Sequence, residues 1–250
     1  MRQPLLTIVQ RTLSSMDSDA VDSINDTEEA EQVATIAQEV YEEWISAKED
    51  WPFLLRALGL ESISDITRPN YLRIANPVSK VESVHYNIRM EEDGRSRMTL
   101  LMYKTPEDFF SFVHQRNEED ANVEMVEDPH GMRYPIRNDK HPQFWTTLDD
   151  KHIVFDSYKS DLEDTLQANQ SFVYAYEIPQ WTNANGAIPD LPDKFFPSYI
   201  AAVKARAHLY LKREQSVADE QSAFRGFNRM LKEANIIRGK DTVRRGFGRR

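Results

Sequence analysis

Apolar residues in this chain repeat every three to four positions at both ends and every second position in the middle. The first spacing lines one face of a helix and the second lines one face of a strand. That change of period implies helical ends around a β-rich centre.

At the N-terminus, Leu6, Val9, Leu13 and Met16 share a helical face over residues 5–16, after Pro4 as a first-turn residue. A polar, turn-rich loop follows, and then the clearest helix of the chain, residues 27–49. Ala30, Val33, Ala34, Ala37, Val40, Tyr41, Trp44 and Ile45 form its apolar stripe. Asp26 and Glu29 suggest a capping box at its start. Trp51-Pro52 ends it, and FLLRALGL reads as one more short helix stopped by Gly59. Near the C-terminus the spacing predicts a helix over 198–213, with Ile200, Val203, Ala207 and Tyr210 on its stripe. A second follows over 216–234, with Val217, Gln221, Phe224, Phe227 and Leu231; Gly239 is expected to end regular structure.

Between these ends, Val84, Tyr86, Ile88 and Met90 alternate along one strand face. Asp93-Gly94 supplies a turn, and RMTLLMYK returns as the partner strand. Thr105-Pro106-Glu107-Asp108 opens a short helix carrying Phe109, Phe110 and Phe112. Residues 117–142 read as irregular and charged. PQFWTTL and KHIVFDSY form a second hairpin turned at Asp149-Asp150, and residues 171–179 a further strand with Phe172, Tyr174, Tyr176 and Ile178 on one face.

The expected fold class is α+β: N- and C-terminal helices packed as a helical stem, a central antiparallel β-rich insertion, and a flexible basic C-terminal tail. The boundaries are residues 1–60 with 190–236 for a discontinuous helical domain, 61–189 for the β-rich domain, and 237–250 for the tail.

The sequence is 40% hydrophobic and 29% charged, as expected of a folded globular chain. Without cysteine, no disulfide, thiolate nucleophile or cysteine-based zinc site can form. No apolar run approaches the roughly 20 residues that span a bilayer, and the opening MRQPLLTIVQRTL does not read as a secretory signal. No membrane partner is expected, and synthesis in the cytoplasm fits.

No enzyme motif emerges. The eight glycines are scattered and build no phosphate-cradling loop. Glu127, Asp128, His130, Asp139 and His141 lie close in sequence and suggest a hard-metal or His/carboxylate site. The proline-punctuated stretch around them reads more simply as a solvated loop. Asp149-Asp150 reads as turn chemistry rather than an acid/base pair, and His85 and His152 as packing or edge residues in strands. Trp44, Trp51 and the three phenylalanines read as core. Neither a catalytic residue nor a cofactor or metal is assigned.

Charge is unevenly placed. Residues 201–250 hold 13 Lys/Arg against 5 Asp/Glu, while residues 1–200 hold 18 against 36, within a net charge of -10. The end, IIRGKDTVRRGFGRR, concentrates the basic residues. Arg238, Lys240, Arg244, Arg245, Arg249 and Arg250 surround Phe247, against Asp241 alone. Arginine pairs bidentately with carboxylate or phosphate and stacks on rings. The stretch is either an anchor for an acidic partner or a solvated terminus.

Three stretches carry a resemblance. These are LTIVQRTLSSMDSDAVDSINDTEEAEQVATIAQEVYEEWI, FWTTLDDKHIVFDSY, and PDLPDKFFPSYIAAVKARAHLYLKRE, the last followed by a second helix and a basic end closing in G-F-G-R-R. Together they resemble the head-to-tail adaptor proteins of tailed bacteriophages, also called tail tubular protein A in short-tailed phages. Residues 83–103 and 117–142 lie outside the resemblance.

The resemblance implies a structural virion protein at the neck between head and tail. In that family about twelve copies form a ring, a connector under the portal that continues the DNA ejection channel. The ring presents a platform to the next tail component, a nozzle or tail tube. Helices pack between neighbours, and the C-terminal extension reaches into the portal. Carried over, the portal-binding residues are Arg238, Lys240, Arg244, Arg245, Phe247, Arg249 and Arg250, within 236–250. An acidic body suits a conduit through which genomic DNA passes without sequence-specific binding, because carboxylates repel phosphate. The alternative is a nucleic-acid-binding protein that grips phosphate through the RG-rich tail and stacks Phe247 on a base.

Overall fold

The computed structural model describes residues 2–63, 67–89, 96–149, 151–161, 168 and 170–246, with the backbone alone at 89, 96 and 238–246. In chain order the elements begin with α1 (Leu5–Ser15), α2 (Glu28–Ser46), β1 (Leu55–Ser62), β2 (Tyr71–Ile74), β3 (Val78–Arg89), β4 (Ser96–Tyr103) and α3 (Pro106–Val113). They continue with β5 (Val123–Glu127), β6 (Arg133–Arg137), β7 (Phe144–Thr146), β8 (His152–Phe155) and β9 (Ser171–Glu177), and end with α4 (Phe196–Ala207) and α5 (Val217–Gly246). The fold is mixed α+β. Contacts divide the chain into two units, one of Met1–Phe53 with Pro179–Arg250, the other of Leu54–Ile178.

The first unit is helical. In α1 the buried face is Leu5, Ile8, Val9, Thr12 and Leu13, and the Thr12 hydroxyl is satisfied by donating to the Ile8 carbonyl at 2.9 Å. Left-handed Asp17 (φ 54°) turns the chain out of the helix. Thr27, not Asp26, caps α2: its hydroxyl accepts the Ala30 N–H at 3.1 Å. Asp26 instead accepts the N–H groups of Asp22 and Ser23, ordering the loop before the helix. After α2, the Trp51 indole N–H returns to the Ile45 carbonyl at 2.8 Å. On α4, the buried Tyr199 hydroxyl donates to Ala37 O of α2 at 2.6 Å.

Helix α5 departs from expectation. A stripe through Val217, Gln221, Phe224, Phe227 and Leu231 is predicted; Phe227 is half-buried against Trp44, yet among the described side chains Met230 and Ala234 are the buried ones, and Val217 and Phe224 are 56% and 70% exposed. Gly226 is the cause. A Cβ there would stand 1.9 Å from Ser198 Oγ, so the α5 backbone sits directly on α4 at this point. Close approach through a glycine rotates the contact face onto Gly226, Met230 and Ala234.

The second unit is built on a closed barrel in the order β1-β2-β8-β7-β4-β3-β9, with β9 returning to β1. Closure leaves these strands no free edge. Every neighbouring pair is antiparallel except β4 and β7, which run parallel, so the expected antiparallel sheet is mixed. FLLRALGL is not a helix: Pro52–Leu54 forms one 3-10 turn, and Leu55–Ser62 is the strand that closes the barrel between β2 and β9. Pairing on both sides outweighs local propensity there. Tyr86, Trp145, Phe155, Val84, Leu72, Ile153 and Val173 fill the interior.

Outside the barrel, α3 and the β5–β6 hairpin cover the face that carries Tyr71 and Val154, burying Phe109, Val113, Val126, Tyr134 and Ile136. Residues 117–142, expected to be irregular, thus hold a five-pair antiparallel hairpin turned at Gly131 (φ 86°). Helix α3 opens as expected, with the Thr105 hydroxyl accepting the Asp108 N–H at 3.2 Å before Pro106. An internal ion pair fastens these parts. Asp156 accepts the N–H groups of Gln143 and Phe144 on one oxygen and Arg116 Nη2, at 2.8 Å, on the other. Arg116 also lies 5.3 Å over the Phe112 ring.

Candidate functional site

Helix α5 is 30 residues long, about 45 Å at ~1.5 Å per residue. It continues past Gly239 to Gly246, which corrects the expected end of regular structure. One internal glycine costs a propagating helix only about 1 kcal/mol. The basic stretch therefore starts on a helix: Arg238, Lys240, Arg244 and Arg245 occupy backbone positions of α5. Cations suit the negative end of the helix dipole. Their side chains, and Phe247, Arg249 and Arg250, lie outside what is described.

The rotation of α5 has a second effect within the helical unit. Phe224 turns away from α4, and a π-helical turn, His208–Lys212, presents Leu209 and Tyr210, which are 43% and 58% exposed. Left-handed Arg213 (φ 56°) ends that turn. These side chains line a groove of about 400 Å³. Trp44 and Phe227, 5.3 Å apart, lie in the same groove, and the Glu43–Arg206 ion pair belongs to its wall. Farther along α5, Ile236 and Ile237 are also half exposed. An apolar groove with charged walls fits the side of another helix.

The carboxylates and histidines singled out in the sequence go elsewhere. Asp128 accepts the N–H groups of His130 and Met132 at 2.8 and 2.7 Å, closing the β5–β6 turn, and Asp139 pairs with Arg137. Among the described residues no three His, Cys, Asp or Glu side chains stand where they could hold a metal ion. Asp149 accepts the N–H groups of Lys151 and His152 and meets His152 Nδ1 at 2.8 Å. Burial opposes its ionisation, but the hydrogen bonds from His152 and from the Lys151 and His152 backbone outweigh that and hold the carboxyl below its usual range. Asp150 lies outside the described residues. His85 stacks on Phe172 at 5.0 Å with its ring edge toward Tyr174, and burial lowers its pKa.

Sequence reasoning missed the groove and the Arg116–Asp156 pair. The groove had one readable sign, Gly226 in the middle of an otherwise strong helix. The ion pair had none, because its partners are forty residues apart.

Compared with known proteins, the chain matches no family model and no curated protein. Among the described residues no helix is long and apolar enough to cross a membrane.

Proposed function

We propose that this is a structural virion protein, a head-to-tail adaptor whose copies form a ring between the portal and the tail and continue the DNA channel. In this reading the helical unit is the stem through which neighbouring copies pack, and residues 236–250 are the anchor to the portal. The observation that carries the reading is α5, an unbroken helix that runs out of the helical unit's core at Ala234 straight into the basic stretch. A helix delivers the first arginines in fixed positions and so loses less entropy on docking than a coil would. The acidic balance of residues 1–200 supports a conduit, and the apolar groove at Phe224 supports packing between copies. Repetition around a ring multiplies weak anchors by avidity. No catalytic role is assigned.

The test compares the full chain with a truncation after Ile237, which keeps the buried contacts of Met230 and Ala234. Each is co-sedimented with the portal ring encoded by the same genome, at low and moderate salt. Near-stoichiometric binding by the full chain and none by the truncation is expected. Failure of both to bind, with salt-sensitive DNA binding by the full chain, replaces this reading with the nucleic-acid one.

A further inference from the structure

We infer that a cleft on the outside of the barrel binds the phosphoryl group of a small organic phosphate. Strand register builds it. Glu61 of β1 lies opposite Arg73 of β2, and Arg73 lies opposite His152 of β8. The residues next to them along each strand, Leu60, Leu72 and Ile153, belong to the barrel core, so this row faces outward. The cleft around it has a volume of about 640 Å³, with Lys151 beside His152 and Ile63 and Pro77 on its walls. That lies within the range of roughly 300–1,000 Å³ usual for small-ligand sites.

Arg73 and Lys151 make no ion pair among the described residues, although Glu61 is the cross-strand neighbour of Arg73. His152 is held through Nδ1 by Asp149, whose other oxygen is taken by two backbone N–H groups. Nε2 is left without a partner among the described residues. A chain of net charge -10 that gathers a guanidinium, an ammonium and an imidazole in one cleft, against Glu61 among the described lining residues and Asp149 behind His152, has made a local anion site. The fork of Arg73 matches two phosphoryl oxygens, and Lys151 supplies a point charge for a third. Ile63 and Pro77 give an apolar wall for the organic part.

The experiment titrates inorganic phosphate, a nucleoside 5′-monophosphate and its unphosphorylated nucleoside into the full chain by calorimetry, with a short single-stranded oligonucleotide as a fourth arm. Saturable binding of the monophosphate is expected, weaker binding of phosphate, and none of the nucleoside. Arg73→Ala and Lys151→Ala, both at exposed positions, should each weaken the monophosphate about tenfold or more, as loss of a charged hydrogen bond does. Arg73→Lys should recover only part of that. The inference is overturned if the monophosphate does not saturate, if either alanine variant binds it unchanged, or if only the oligonucleotide binds.

Discussion

A side chain at position 226 would collide with Ser198: a Cβ on Gly226 stands 1.9 Å from Ser198 Oγ and 2.1 Å from Ser198 Cβ. The two helices touch at backbone distance there. Gly226→Ala should therefore destabilise the helical unit by about 1–3 kcal/mol, overpacking outweighing the helix propensity it adds. Moving the glycine to the other helix, in Gly226→Ala with Ser198→Gly, should restore most of the loss. Thermal unfolding of the three proteins checks this, and equal midpoints for all would refute the contact.

Phe224 is 70% exposed, so Phe224→Asp should leave monomer stability within about 0.5 kcal/mol. The same change should abolish self-association if the groove packs between copies. Analytical ultracentrifugation at several concentrations separates the two effects. A variant that still assembles would remove the groove from the interface.

Asp156 and Arg116 form a largely buried ion pair, their side chains 5% and 12% exposed. Asp156→Ala strands the guanidinium and should cost about 3–5 kcal/mol, seen in urea unfolding followed by tryptophan fluorescence. Asp156→Asn, which keeps an acceptor for the Gln143 and Phe144 N–H groups, should cost less. If both variants unfold like the wild type, the pair does not fasten the barrel.

Burial lowers the pKa of His85 below its unfolded value, so the unfolded chain binds more protons in the interval between the two. That contribution is fully present above the unfolded pKa of about 6.5 and is lost as pH falls from there through the lower folded value. His85→Phe, which preserves the stack on Phe172, should flatten the stability curve on the acid side of the unfolded histidine pKa. An unchanged slope would show that His85 does not titrate differently on folding.

The sequence by itself determined which residues share a face. Ala30, Val33, Ala37, Val40, Tyr41 and Trp44 are buried on α2, Val84 and Tyr86 point into the barrel from β3, and Thr105-Pro106 starts α3, all readable from local spacing and capping chemistry. It did not determine which face would be covered. Phe172, Tyr174 and Tyr176 do lie on one side of β9, but it is the outer side; Val173 and Ala175 face inward. Tyr86, Trp145 and Phe155, with Leu72, Ile153 and other aliphatic side chains, already fill the interior, and β9 adds only Val173 and Ala175 to it. Likewise the stripe of α5 follows Gly226 rather than Phe224, and Leu55–Ser62 is a strand because β2 and β9 flank it. Periodicity is a property of the local chain, whereas burial depends on what packs against it, and those partners lie far away in sequence.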